Sequence, residues 1–88
     1  MMIQSVVMKN QVGLHARPAT FFIQKANEYK ASIWLECDSR RINAKSLLGV
    51  LSLGVVQGNK ITIITDGDDE YTAMTELVHL VESNFGEQ

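Results

Sequence analysis

Between Asn10 and Thr20 the chain reads NQVGLHARPAT, placing a histidine, an arginine and its one proline close together just beyond Gly13. Proline suits the first turn of a helix, where its missing N–H is not needed, so a helix is expected to start at or just after His15. The backbone N–H groups of Ala16 and Arg17 would then precede the first bonded turn and point outward from the positive end of that helix. Arg17 adds a planar fork of donors suited to phosphate oxygens, and Thr20, one turn on, adds a hydroxyl. Together these groups make a small anion site beside an imidazole, and a neutral imidazole is a nucleophile. The plainer reading is that His15 only caps the helix and Arg17 is a solvated charge, although histidine is not among the preferred caps.

A second group runs from Ser46 to Val55, SLLGVLSLGV. A serine opening an apolar helical run is an N-cap, and Gly49 stands where a capping box would have glutamate. Apolar residues go nearly all the way round this short helix. Val50 and Leu53 can face a core, which leaves Leu47, Leu48 and Leu51 on another side. One helix in a two-layer domain cannot bury both sides. The surplus leucines either tuck under a neighbouring loop or form a docking patch for another protein.

The remaining candidates are weaker. One cysteine, Cys37, excludes an internal disulfide, and with only two histidines, His15 and His79, no metal-ligand cluster emerges. His79 is read as a surface or boundary residue. DGDDEYTAMTEL begins like a calcium loop but has Tyr71 where the sharp-turn glycine belongs and Leu77 where the bidentate glutamate belongs. Arg40 and Arg41 read as solvated strand charges. A formal net charge of −2 gives no general attraction to nucleic acid or anionic lipid. No apolar run approaches the roughly 20 residues of a membrane span, and MMIQSVVMKNQ lacks a basic region and a cleavage site. With no Gly-rich phosphate loop and no second base beside His15, nothing in the pattern would activate water. The expectation is a cytoplasmic protein without metal or other cofactor, making no direct contact with nucleic acid and not inserting into membranes.

These groups need a scaffold, and 88 residues with 45% hydrophobic composition suffice for one modest core. Residues 2–8 read as a strand, and Ala16 to Tyr29 as an amphipathic helix with Ala19, Phe22, Ile23, Ala26 and Tyr29 on one stripe. Ile33, Leu35 and Cys37 alternate with Ser32, Trp34 and Glu36, and after an Asp38-Ser39 turn Ile42 and Ala44 alternate with Arg41 and Asn43, which makes a hairpin. KITIITD is a strand with Ile61 and Ile63 inward. The last helix, about Asp69 to Asn84, carries Ala73, Met74, Leu77, Leu80 and Val81 on one face, with acidic residues in its first turn. The order β-α-β-β-α-β-α packs most simply as an α+β open-faced sandwich, a four-stranded, mainly antiparallel sheet with three helices on one face. Trp34 would lie on the open face, either packing across strands or serving as a ligand platform.

GLHARPAT strongly resembles the active-site segment of HPr, the histidine-containing phosphocarrier family of the bacterial phosphoenolpyruvate-dependent sugar phosphotransferase system. NAKSLLGVLSLGV resembles the family's second signature and DGDDE its acidic turn into the last helix. The resemblance spans residues 1–88 in register as a single HPr-like domain and implies the open-faced β-sandwich.

It further implies that His15 is transiently phosphorylated at Nδ1, receiving the phosphoryl group from enzyme I and passing it to the IIA domains of sugar permeases. Arg17 matches the phosphate-interacting arginine, with Ala16 and Thr20 as phosphate-stabilising neighbours. The leucines 47, 48 and 51 would contact enzyme I and IIA domains. Ser46 matches the serine that, in part of the family, is phosphorylated by an HPr kinase/phosphorylase and then allows action as corepressor with the transcription factor CcpA in carbon catabolite repression. On this resemblance the protein is a carrier and not a free-standing catalyst. Two alternatives stay open: a non-carrier HPr-like regulatory corepressor, which has glutamine in place of the active histidine, and a nitrogen-branch phosphocarrier.

Overall fold

The computed structural model describes residues 1–86, so the last two positions of the single domain expected over 1–88 lie outside the described residues. Its elements are β1 (Met2–Val7), α1 (Ala16–Ala26), β2 (Ser32–Cys37), β3 (Arg40–Asn43), α2 (Leu47–Ser52), β4 (Lys60–Asp66) and α3 (Glu70–Glu82), followed by a short 3-10 turn at Asn84–Gly86. The sheet runs β1-β4-β2-β3, and each neighbouring pair is antiparallel. Strand β4 thus lies between β1 and β2, which are parallel to each other, and α1 bridges them across one face. This is the α+β open sandwich expected from the sequence.

Alternation along the strands explains the two faces. Ile33, Leu35 and Cys37 of β2 and Ile61 and Ile63 of β4 are buried with Val6, and meet Ala19, Phe22 and Ala26 of α1, Val50 of α2, and Ala73, Met74, Leu77 and Val81 of α3. The β2–β3 hairpin closes through Asp38 and Ser39 at φ 51° and 69°, the paired left-handed residues of a tight two-residue turn.

Several boundaries differ from the sequence expectation. Helix α1 ends at Ala26 and not at Tyr29, because Asn27 caps it: its side-chain amide donates to Ile23 O at 2.8 Å and to Lys45 O at 3.3 Å. Helix α2 covers only six residues; Gly54 at φ 61° ends the run, so Val55 is buried from a loop, and Leu53 is half-buried instead of core. Leu51 is also half-buried and packs against the core, which corrects its placement as a wholly exposed leucine. Helix α3 stops at Glu82, and Phe85 folds back into the core at φ 59°. Arg40 is more than a solvated charge: its guanidinium donates to Ser52 O at 2.6 Å and ties the end of α2 to β3.

Candidate functional site

His15 is the N-cap residue of α1, with extended backbone, φ −74° and ψ −176°, and its imidazole makes no capping hydrogen bond. Its carbonyl accepts the first helical bond, from Ala19 N at 2.9 Å. The plainer reading of a capping side chain is therefore set aside. The ring stands exposed at the positive end of an 11-residue helix. Pro18 is buried in the first turn and anchors it.

The loop before His15 is held from both sides. Asn10 Nδ2 donates to Gly13 O at 2.9 Å, and Leu14 N donates to Val55 O at 3.0 Å. Gly13 sits at φ 62° directly against that second loop; a Cβ there would strike the Val55 carbonyl and come within 2.7 Å of Val56 Cα. Glycine is required both by the backbone conformation and by the close approach. Farther back, Met8 N donates to Asn59 O and Gly58 N to Met8 O, both at 2.8 Å, so residues 8–14 and 54–59 form one laced unit under the imidazole.

Among the other residues singled out from the sequence, Ala16 and Arg17 lie ahead of the first helical bond, exposed beside His15. The Arg17 guanidinium lies over the Phe21 ring, 5.8 Å from its centroid, one turn down the helix. Thr20 is turned up the helix, its hydroxyl donating to Ala16 O at 2.7 Å. That proton is already committed, so Thr20 supports the first turn; donating to an anion would require breaking this bond.

Ser46 is the N-cap of α2, with its Oγ accepting from Gly49 N at 3.1 Å. The apolar surroundings divide unevenly. Leu48 is 80% exposed and Leu47 39%, whereas Leu51 lines a groove of about 220 Å³ with Leu14, His15 and Val55. Val56 also lines this groove and is exposed, and Val12 is exposed on the facing laced loop. Sequence reasoning missed both valines because neither lies on a periodic element; their placement follows from the Leu14–Val55 bond.

Among the described residues, no cluster of histidine, cysteine, aspartate and glutamate could hold a metal ion, and no helix is long and apolar enough to cross a membrane. Burial pushes the Cys37 thiol above its usual value, which keeps it protonated and inert. His79 is exposed on α3.

The class of molecule is thus an open-faced α+β sandwich presenting a solvent-exposed imidazole at a helix start, beside an apolar groove. Residues 3–83 match the family model described as "PTS HPr component phosphorylation site". The chain is 43% identical over 82 residues to the HPr-like protein Crh of Halalkalibacterium halodurans, covering 93% of this chain and 98% of the relative. It is 39% identical over 87 residues to the phosphocarrier protein HPr of Neisseria meningitidis serogroup A, covering 99% and 98%. The crystal structure of HPr-C-His from Thermoanaerobacter tengcongensis superposes with a TM-score of 0.97 at 48% identity, over 100% of this chain and 99% of that one. The chain belongs to the HPr family, the phosphocarrier family of the phosphotransferase system.

Proposed function

We propose that His15 Nδ1 is the phosphoryl acceptor, and that the protein carries the group from phosphorylated enzyme I to the IIA domains of sugar permeases. The observation that carries this reading is the exposed, uncapped imidazole at the start of α1. In the transfer, His15 Nδ1 attacks phosphorus as the bond to the donor nitrogen breaks, and the reverse geometry passes the group onward. The phosphoryl group brings about two negative charges to a helix end that favours them, and Arg17, beside the site, supplies a cation. The protein holds the group, and its partners complete the chemistry. Docking falls to Leu47 and Leu48 with Val12 and Val56, while Leu51 floors the groove. This activity places it in the cytoplasm.

Ser46 is the proposed regulatory position, modified by an HPr kinase/phosphorylase and read by CcpA. Its place at the head of the helix that bears Leu47 and Leu48 supports this, since a phosphate there meets the same partner surface. A corepressor without carrier activity is the second reading, favoured by the likeness to Crh; the imidazole at position 15 weighs against it, since the family resemblance implies glutamine there in that branch. A nitrogen-branch carrier would use the same site with different partners.

The test is labelling with phosphoenolpyruvate and purified enzyme I. Wild type should acquire one acid-labile phosphoryl group, the folded His15→Ala variant should acquire none, and Arg17→Ala should be labelled more slowly. Labelling that persists in His15→Ala, or that maps to His79, overturns the assignment.

A further inference from the structure

Trp34 stands on the sheet face away from the helices, half-buried, on a row where Ile64 of β4 and Asn43 of β3 are its cross-strand partners. The Arg41 guanidinium lies 5.9 Å from its ring centroid and is bonded in turn to Glu36 at 2.7 Å. Beside the indole is a groove of about 280 Å³, lined by Lys30, Ser32, Trp34, Asn43 and Lys45 along with the chain of Ala31 and Ile33. It shares no residue with the groove at His15.

The walls of this groove are held in place. Asp69 accepts the amides of Lys30 and Ala31 at 2.8 and 2.9 Å, one on each carboxylate oxygen, which pins the segment entering β2. Lys45 is part-buried, and its ammonium donates to Tyr29 O at 2.7 Å, leaving its other two N–H donors for a further partner. Asn43 Oδ1 accepts from Lys45 N at 2.9 Å, so the NH₂ end of the carboxamide is turned away from that backbone. Two lysines, a serine and an asparagine thus line one groove with the indole, in a chain whose net charge is −2. Asp69 is the nearby counter-charge, and both its oxygens already accept backbone amides.

We propose that this groove binds a nucleoside 5′-monophosphate, the flat base against Trp34 and the phosphate between Lys30 and Lys45. A dianionic phosphate matches two ammoniums better than a carboxylate does, and the part of the indole that lines the groove offers contact to a planar ring beside the Arg41 guanidinium. The chain needs no glycine-rich phosphate loop for it because the contacts come from side chains that strand pairing brings together.

Trp34 is the chain's one tryptophan, so its indole N–H gives a single resonance that reports the groove directly. Adenosine 5′-monophosphate should shift this resonance saturably, while adenosine and inorganic phosphate, each tested alone, should bind much more weakly. Lys30→Gln should weaken binding about tenfold, and Lys30→Gln with Lys45→Gln further still, with phosphoryl acceptance at His15 unchanged. Absence of a saturable shift with the monophosphate, an equal response to adenosine or to inorganic phosphate alone, or an unchanged binding curve in Lys30→Gln overturns the proposal. His15→Ala should bind the monophosphate like wild type, so the outcome stands apart from the carrier reading.

Discussion

The amide of Leu14 donates to the carbonyl of Val55 at 3.0 Å, joining the residue before the exposed histidine to a loop 41 positions later. Through this bond the start of α1 and the end of the α2 region become one surface. The His15 ring and the apolar residues that partners would cover are therefore held in register by backbone, not by side-chain packing alone.

Gly13 is the point of closest approach in that junction. Gly13→Ala should destabilise the fold by about 2–4 kcal/mol, from the left-handed backbone and from the collision with the Val55 carbonyl. Phosphoryl acceptance should fall as well, since the loop must move away from Val55. A denaturant midpoint equal to that of wild type would show that the two loops separate at little cost.

Leu48 and Leu51 are neighbours on α2 but should respond differently. Leu48 is 80% exposed, so Leu48→Ala should leave stability within about 0.5 kcal/mol while weakening enzyme I binding by about 1 kcal/mol. Leu51 is half-buried against the core, so Leu51→Ala should cost about 1–2 kcal/mol of stability, short of the full price of a buried leucine. Calorimetric binding and thermal melts on both variants separate these effects; a large loss of stability in Leu48→Ala with unchanged affinity would move the docking surface elsewhere.

Ser46 combines a structural role with the proposed regulatory one. Ser46→Ala removes the acceptor of the Gly49 amide and should cost about 1 kcal/mol. Ser46→Asp keeps a capping oxygen, so stability should stay within about 0.5 kcal/mol of wild type while the apparent KM toward enzyme I rises. Identical transfer kinetics for Ser46→Asp and wild type would leave Ser46 as a cap alone.

Acid should weaken the junction between α3 and the sheet. The backbone amides of Lys30 and Ala31 hold the Asp69 carboxyl below its usual range, and the Gly67 amide together with the N-terminal ammonium does the same for Glu70. Both groups bind protons less readily folded than unfolded, so their contribution is complete above the ordinary carboxylate range, about pH 4, and is lost as pH falls through their lower folded values. Asp69→Asn should lower the melting temperature at neutral pH and flatten the acid limb of the stability profile. An acid limb that parallels wild type would exclude Asp69 as a source of that dependence.

Much of this architecture is legible from neighbouring residues because its causes are local. Alternation places Ile33, Leu35, Ile61 and Ile63 inward, the 3.6-residue stripe places Ala19, Phe22 and Ala26, and the cap chemistry of Ser46 operates within three residues. Pro18 likewise marks the start of α1 and with it the position of His15. What local patterns do not contain is the partner of each exposed group. Helix α1 ends early because Asn27 also reaches Lys45 O, and Arg40 is engaged because α2 ends beside β3. Leu51 is drawn inward while Leu48 is left out, and Val56 comes to line the groove at His15, only after the loops lace together. The groove at Trp34 depends on the same kind of information, since Lys30, Asn43 and Lys45 meet the indole once β3 pairs with β2 and Asp69 fastens the entry to β2. Sequence periodicity determined which residues face inward, because burial acts on each element separately; tertiary structure decided which surface residues share a site, because that depends on contacts between segments distant in the chain.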